Sequence, residues 1–98
     1  MENFKAIISS DQLVLVDFYA TWCGPCKMMH PVLDSLKQQL GEKVRILKVD
    51  VDKNRATALE YRVQGVPTLA LFKNGKMLWR EAGAQPLDRL LATVQSFL

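Results

Sequence analysis

The sequence of 98 residues has no apolar run approaching the roughly 20 residues of a membrane-spanning helix. Residues 1–5 lack the charged segment, apolar stretch and small-residue cleavage site of a secretory signal. Repeats, linkers and low-complexity segments are also missing, which predicts a single domain over residues 1–98. These absences predict a soluble, cytoplasmic protein with no membrane partner.

Basic residues are not concentrated anywhere in the chain. The 13 Lys and Arg residues are interleaved with 10 Asp and Glu residues, which leaves a formal charge of +3. Binding of nucleic acid needs a basic patch or stripe. The sequence therefore favours a mixed, solvated surface and predicts no nucleic-acid partner.

Cysteine is scarce, because Cys23 and Cys26 are the only two, and they enclose Gly24 and Pro25. A structural disulfide across so short a loop would remove little entropy from the unfolded chain. Close cysteines in a cytosolic protein are more often catalytic or metal-binding. His30 follows Cys26 by four residues and could join a zinc site, but the three residues offer one ligand too few. We therefore predict no metal, and we interpret His30 as an exposed helix residue.

Hydrophobic periodicity predicts an alternation of helices and strands. Strands are predicted over 13–19, 44–50, 68–73 and 76–82, and helices over 2–8, 24–40, 54–62 and 86–97. A strand–helix–strand unit implies a parallel pair, and Asn74-Gly75 predicts a hairpin because both positions tolerate a positive φ. The predicted fold class is α/β, a mixed sheet with helices on both faces.

The cysteine pair lies at the predicted start of helix 24–40. Unpaired N–H groups and the helix dipole stabilise a thiolate there and lower the pKa of the thiol. Cys23, just before the first turn, is predicted to be the exposed nucleophile. Cys26, one turn later, is predicted to be the more buried resolving thiol. Pro25 suits a helix start, where its missing N–H costs nothing.

Asp17 is a lone carboxylate in an otherwise apolar strand, six residues before Cys23. Burial would raise the pKa of Asp17 and suit it to proton transfer with Cys26. Lys48, on the neighbouring predicted strand, could pair with it. The alternative is a carboxylate that faces solvent at the end of a strand.

Pro67 immediately precedes a predicted strand. A cis bond before Pro67 would leave the Val66 backbone free to pair with an extended substrate. Because cis is the minority state of X–Pro bonds, an ordinary trans proline is the simpler interpretation from the residues alone.

The run from Val14 to Lys27 resembles the active-site signature of the thioredoxin family. The resemblance continues at consistent spacing over nearly the whole chain, through Pro31, 48–52, 65–68, 72–75 and 83–84. It implies a thioredoxin-like fold and dithiol–disulfide exchange, with Cys23 as the nucleophile and Cys26 as the resolving thiol. It also implies that Asp17 is the buried acid–base residue with Lys48 beside it, and that Pro67 follows a cis bond.

The resemblance also implies a substrate groove and partners. The groove residues would be Trp22, Gly24, Pro25, Val66, Gly83 and Ala84. The partners would be disulfide-containing client proteins and a thioredoxin reductase as the electron donor. The family member itself binds no cofactor.

Two features depart from the family pattern. Met28-Met29-His30 stands where small or aliphatic residues are usual. Many thioredoxins carry an extra strand before the first helix, whereas four strands are predicted here, with strand 44–50 at an edge. An exposed edge can pair with another chain, so we predict mainly a monomer with weak edge-strand dimerisation.

Reduction of protein disulfides is the predicted activity, and two alternatives stay open. The first is a disulfide oxidase or isomerase, which is disfavoured because Gly24-Pro25 resembles the reducing members. The second is a binding module that holds a partner in the groove without turnover. Retention of both cysteines and Asp17 disfavours that alternative.

Overall fold

The computed structural model describes residues 3–98, and helices alternate with strands along them. The elements are α1 (Phe4–Ile8), β1 (Leu13–Tyr19), α2 (Gly24–Leu40), a 3₁₀ turn (Gly41–Lys43), β2 (Val44–Asp50), α3 (Arg55–Glu60), β3 (Thr68–Lys73), β4 (Lys76–Ala82) and α4 (Leu87–Ser96). The four predicted strands and the central helix are confirmed with their predicted bounds.

The remaining helices are shorter than predicted. α3 stops at Glu60 because Arg62 adopts a left-handed backbone with a φ of 55°. Pro86 precedes α4 in an extended conformation and is not part of it. The predicted start of the first helix at residue 2 lies outside the described residues.

The four strands form one mixed sheet in the order β2-β1-β3-β4. β1 pairs with β2 in parallel and with β3 antiparallel, and β3 continues into β4 through the predicted hairpin. Asn74 and Gly75 have φ values of 54° and 80°, as a turn of the expected type requires. β2 lies at one edge of the sheet, which confirms the prediction for strand 44–50.

Alternate residues of the central strand β1 pack into two different cores. Leu13 and Leu15 contact the cluster that α2 and α4 build on one face. Val14, Val16 and Phe18 pack on the other face, in the cluster that contains the α1 residues. The same alternation places Asp17 and Tyr19 on the face that α2 covers.

α2 holds the cysteine end of the molecule against the sheet. Its apolar stripe, Met29, Leu33, Leu36 and Leu40, is buried, and each such side chain contributes about 1.5–3 kcal/mol on removal from water. The helix ends at Gly41, which has a φ of 55°. Along residues 3–98, none of the helices combines the length and apolar character needed to cross a membrane.

Candidate active site

The cysteine pair lies where β1 leads into α2. Cys23 is the N-cap of the helix, and a disulfide joins it to Cys26, with the two Cα atoms 5.3 Å apart. The backbone N–H of Cys26 donates a hydrogen bond to the Cys23 Sγ at 3.1 Å. An N–H group at a helix start therefore points at the Cys23 sulfur, a contact that would stabilise a thiolate there.

Burial of the two cysteine residues follows the predicted order but not the predicted degree. Cys26 has no exposed surface, and Cys23 is only 4% exposed. The prediction of an exposed Cys23 is wrong for this disulfide-bonded form. Cys23 packs in a small cluster with Ala20 and Cys26, and the Val66 side chain lies against that cluster.

Asp17 is completely buried. Neither carboxylate oxygen has a hydrogen-bond partner among residues 3–98. Burial raises the pKa of Asp17 to about 6, and the charge of Lys48 opposes that rise. Lys48 is directly opposite Asp17 in the parallel β1–β2 ladder and is itself exposed. The solvent-facing alternative for Asp17 is therefore wrong.

The segment before β3 lies beside the cysteines. The Val66–Pro67 peptide bond is cis, as the resemblance implies. The Val66 carbonyl oxygen is 3.6 Å from the Cys23 Sγ. Within the described range, Val66 makes no backbone–backbone hydrogen bond. Its N–H and C=O are therefore available to an extended chain.

Gly83 is tied to the same segment from the end of β4. Its N–H donates to the Pro67 carbonyl at 2.8 Å. Gly83 has a φ of 95°, a conformation that favours glycine. Ala84 is the next residue, and it lines a hollow of about 310 Å³. The other lining residues are Met28, Met29, Val32, Gln85 and Pro86.

Trp22 is the large apolar side chain next to the cysteines, and 71% of it is exposed. Its indole N–H donates to the Asp52 Oδ2 at 2.8 Å. A hollow of about 130 Å³ lies beside it, lined by Trp22, Val51, Val63, Gln64, Gly65 and Val66. Sequence reasoning gave Asp52 no role, because nothing local links two residues 30 positions apart.

Gly24 and Pro25 complete the surface around the disulfide, and both are exposed. Four of the predicted groove residues therefore lie close to the sulfurs, namely Trp22, Gly24, Pro25 and Val66. Gly83 is connected to this group by the hydrogen bond from its N–H to the Pro67 carbonyl. A larger hollow of about 440 Å³ lies elsewhere, between α2 and β2, and it is lined by Leu33, Asp34, Lys37, Arg45, Ile46 and Lys48. We do not assign the redox site there, because neither cysteine reaches that hollow.

His30 differs from its predicted state. It is half-buried and packs edge-on against Tyr19, with ring centroids 6.0 Å apart. The prediction of an exposed residue is wrong, because the helix turns this ring toward the sheet. Across residues 3–98, His, Cys, Asp and Glu side chains form no group of three that could hold a metal ion.

Comparison with known proteins identifies the family. The family model described as thioredoxin matches residues 1–96. Thioredoxin from Bacillus subtilis is 44% identical over 90 residues, which cover 92% of this chain and 86% of that protein. Thioredoxin Y, chloroplastic, from Oryza sativa subsp. japonica is 44% identical over 89 residues. That match covers 91% of this chain and 53% of the rice protein, so the chain spans about half of that relative's length.

A solved structure supports the same assignment. The oxidized form of mitochondrial thioredoxin 3 from Saccharomyces cerevisiae superposes with a TM-score of 0.87 at 38% identity. The superposition covers 96% of this chain and 87% of the yeast chain. The predicted thioredoxin-like fold is therefore confirmed. With its Cys23–Cys26 pair at the start of α2, the chain belongs to the thioredoxin family of thiol–disulfide oxidoreductases.

Proposed function

We propose that this protein reduces disulfides in client proteins and is itself re-reduced by a thioredoxin reductase. The observation that carries the proposal is the environment of the Cys23 Sγ. This sulfur accepts a hydrogen bond from the Cys26 N–H at the start of a helix, and it lies beside the unpaired Val66 backbone. A nucleophilic thiolate and a docking edge for an extended peptide thus adjoin each other.

The reaction begins with the Cys23 thiolate of the reduced protein. The thiolate attacks one sulfur of the client disulfide, the other client sulfur leaves, and a mixed disulfide forms. The Cys26 thiol then loses its proton and attacks the Cys23 Sγ. The second client sulfur leaves as a thiolate, so two electrons have passed from the protein to the client. The protein keeps the Cys23–Cys26 disulfide that the structure contains.

Asp17 is the proposed acceptor of the Cys26 proton. Its carboxylate is buried on the face of β1 that α2 covers, and its raised pKa brings it close to neutral pH. A general base works best when its pKa lies near the operating pH. Lys48 is proposed to oppose the effect of burial, so that enough of Asp17 stays ionised to act as the base.

The groove binds the client in this proposal. The Val66 N–H and C=O would pair with the extended backbone that carries the client cysteine, as in strand addition to a free edge. Pro67 fixes the position of Val66. Apolar contacts would come from the surfaces around the cysteines, namely Trp22, Gly24, Pro25, Gly83 and Ala84.

The experiment that tests this function is NADPH-dependent reduction of insulin disulfides with a bacterial thioredoxin reductase. We expect NADPH to be consumed in proportion to the protein added. The double variant Cys23→Ser, Cys26→Ser is the matched control and should be inactive. No NADPH consumption by the unaltered protein would reject the reductase assignment. A reduction potential near the roughly −120 mV of strong oxidants, rather than near −270 mV, would indicate an oxidase instead.

The oligomeric state and location are part of the proposal. β2 pairs with β1 alone, so its outer edge is open within the described chain. Arg45 and Lys48 are exposed on that strand, and two copies would bring these charges together. We therefore propose a monomer with weak edge pairing, in a reducing compartment such as the cytoplasm. A strictly monomeric sedimentation profile at millimolar concentration would exclude the edge dimer.

A further inference from the structure

His30 is a half-buried polar residue for which the proposed reaction has no use. Its Nδ1 is buried and has no hydrogen-bond partner among the described residues. Asp17 Oδ1 and Oδ2 are the other buried side-chain atoms in residues 3–98 that share this property. Burying a polar atom without a hydrogen-bond partner is unfavourable, so the two residues need a partner.

The fold brings the two residues to the same side of the sheet. Asp17 and Tyr19 are two positions apart on β1, and their side chains therefore share the face that α2 covers. The His30 ring packs edge-on against Tyr19, with an angle of 77° between the planes. His30 is also one helical turn beyond Cys26, on the same flank of α2. His30 thus lies on the side of the sheet that holds Asp17, and it packs on Tyr19, which itself contacts the cluster of Cys23 and Cys26.

The other residues around Asp17 and His30 donate no hydrogen bond to the Asp17 carboxylate. Lys48 on β2 is opposite Asp17 but makes no hydrogen bond to it, and Leu69 on β3, its other cross-strand neighbour, is apolar. Asp50 on β2 is already engaged, because its Oδ1 accepts from the N–H groups of Asp52 and Lys53. On α2, Lys27 and Asp34 flank His30 by one turn each, and both are exposed.

The hydrogen-bonding capacities of the two residues are complementary. An ionised carboxylate can only accept hydrogen bonds, and one ring nitrogen of a neutral imidazole carries a proton to donate. We propose that the His30 Nδ1–H donates to the Asp17 carboxylate across one water molecule, and so holds Asp17 in its ionised form. His30 is then a positioning residue for the base that serves Cys26. This inference rests on the role proposed above for Asp17.

A donor to the charged form favours ionisation. Without it, Asp17 would hold its proton to a higher pH, and a smaller fraction of the base would be ionised at a given pH. A charge-assisted hydrogen bond of ordinary strength corresponds to a shift of about one pH unit or more. His30 and Lys48 would thus act in the same direction, and both would oppose the effect of burial.

The direct test is titration of the Asp17 carboxyl carbon by NMR, with selective ¹³C labelling, in the reduced full chain. His30→Phe keeps an aromatic ring against Tyr19 but has no donor, and His30→Gln keeps an N–H donor. Gln38→Ala, an exposed position two turns further along α2, is the matched control. We expect the Asp17 titration to move up by about one pH unit in His30→Phe, by less than half of that in His30→Gln, and not at all in the control.

Two results would overturn the inference. One is an Asp17 titration that is the same in His30→Phe as in the unaltered protein. The other is an equal shift in His30→Phe and His30→Gln, which would assign the effect to packing rather than to the donor. Should His30→Phe fail to fold, His30→Leu carries the same expectation.

A kinetic measurement separates this inference from the proposed function. An aromatic disulfide that releases one coloured thiolate at each step reports attack by Cys23 first and attack by Cys26 second. His30→Phe should leave the first phase unchanged and shift the pH profile of the second phase upward. Absence of the first phase in the unaltered protein would reject the proposed function, whereas an unshifted second phase would reject the role of His30 alone.

Discussion

Asp17 and Lys48 face each other across the parallel β1–β2 ladder, one fully buried and the other at the exposed edge of the sheet. Burial raises the pKa of the Asp17 carboxylate to about 6, and the positive charge of Lys48 limits that rise. The pair therefore places a titrating group in the apolar interior, one helix away from solvent.

Replacing Asp17 by Asn should slow the release of the client but not its capture. The amide has the same shape but cannot accept the Cys26 proton, so attack by Cys26 should slow by about a hundredfold. Attack by Cys23 should change less than threefold, because this thiolate is stabilised by the helix start rather than by Asp17. The two-step aromatic disulfide assay measures both rates. Equal slowing of the two steps, or no slowing, would remove Asp17 from the mechanism.

The pKa of Asp17 also makes the stability of the protein depend on pH. The folded value of about 6 exceeds the ordinary value of about 3.9, so the folded state holds this proton more tightly than the unfolded chain does. The resulting stabilisation is complete below about pH 4 and is lost as the pH rises through about 6.

Asp17→Asn should abolish this dependence. At each pH, the free energy of unfolding of the variant is compared with that of the unaltered protein. This difference should shift in favour of the variant by up to about 3 kcal/mol between pH 4 and pH 8. Urea denaturation at both pH values measures the change. A gain that is the same at pH 4 and pH 8 would show that Asp17 titrates normally.

Replacing Lys48 by Met should raise the pKa of Asp17 further. The apolar side chain keeps most of the length of lysine but removes the charge that opposes the effect of burial. We expect the pH profile of the Cys26 attack to move to higher pH, while the rate of the Cys23 attack is unchanged. Lys43→Met is the control, since Lys43 is exposed in the 3₁₀ turn before β2. Identical profiles for the two variants would contradict a specific role for Lys48.

Much of the fold could be predicted from local patterns. β1 is apolar at every position except Asp17, which is what a strand covered on both faces requires. Asn74-Gly75 indicated the hairpin because few other pairs tolerate a positive φ at both positions. The end of α3 was missed because Arg62 adopts a left-handed conformation there, although arginine is not a residue type that favours it. Propensity alone gives no warning of such a stop.

The site could be predicted only in part, because several of its contacts join distant segments. The hydrogen bond from Trp22 to Asp52 and the contact between Tyr19 and His30 depend on how β1, α2 and the loop after β2 pack together. Hydrophobic periodicity predicted helix 24–40 correctly, and the apolar stripe of this helix faces the core. It did not reveal that His30, at the border of that stripe, turns inward. The burial of Cys23 was missed for the same reason, since Val66 covers it from 43 positions away.

Cys26→Ser should convert the protein into a trap for its clients. In the proposed reaction, attack by Cys23 forms the mixed disulfide and release needs the Cys26 sulfur. A hydroxyl cannot replace that sulfur, because it is far less nucleophilic and far less acidic than a thiol. The variant should therefore accumulate covalent adducts that disappear on addition of dithiothreitol.

Cys23→Ser is the matched control and should form fewer adducts by about tenfold or more, since the buried Cys26 cannot reach a client disulfide. Non-reducing electrophoresis of lysate incubated with each variant, followed by mass spectrometry, counts the adducts. Similar yields from the two variants would show that the two cysteines are interchangeable. No adducts with Cys26→Ser would contradict covalent turnover of protein clients.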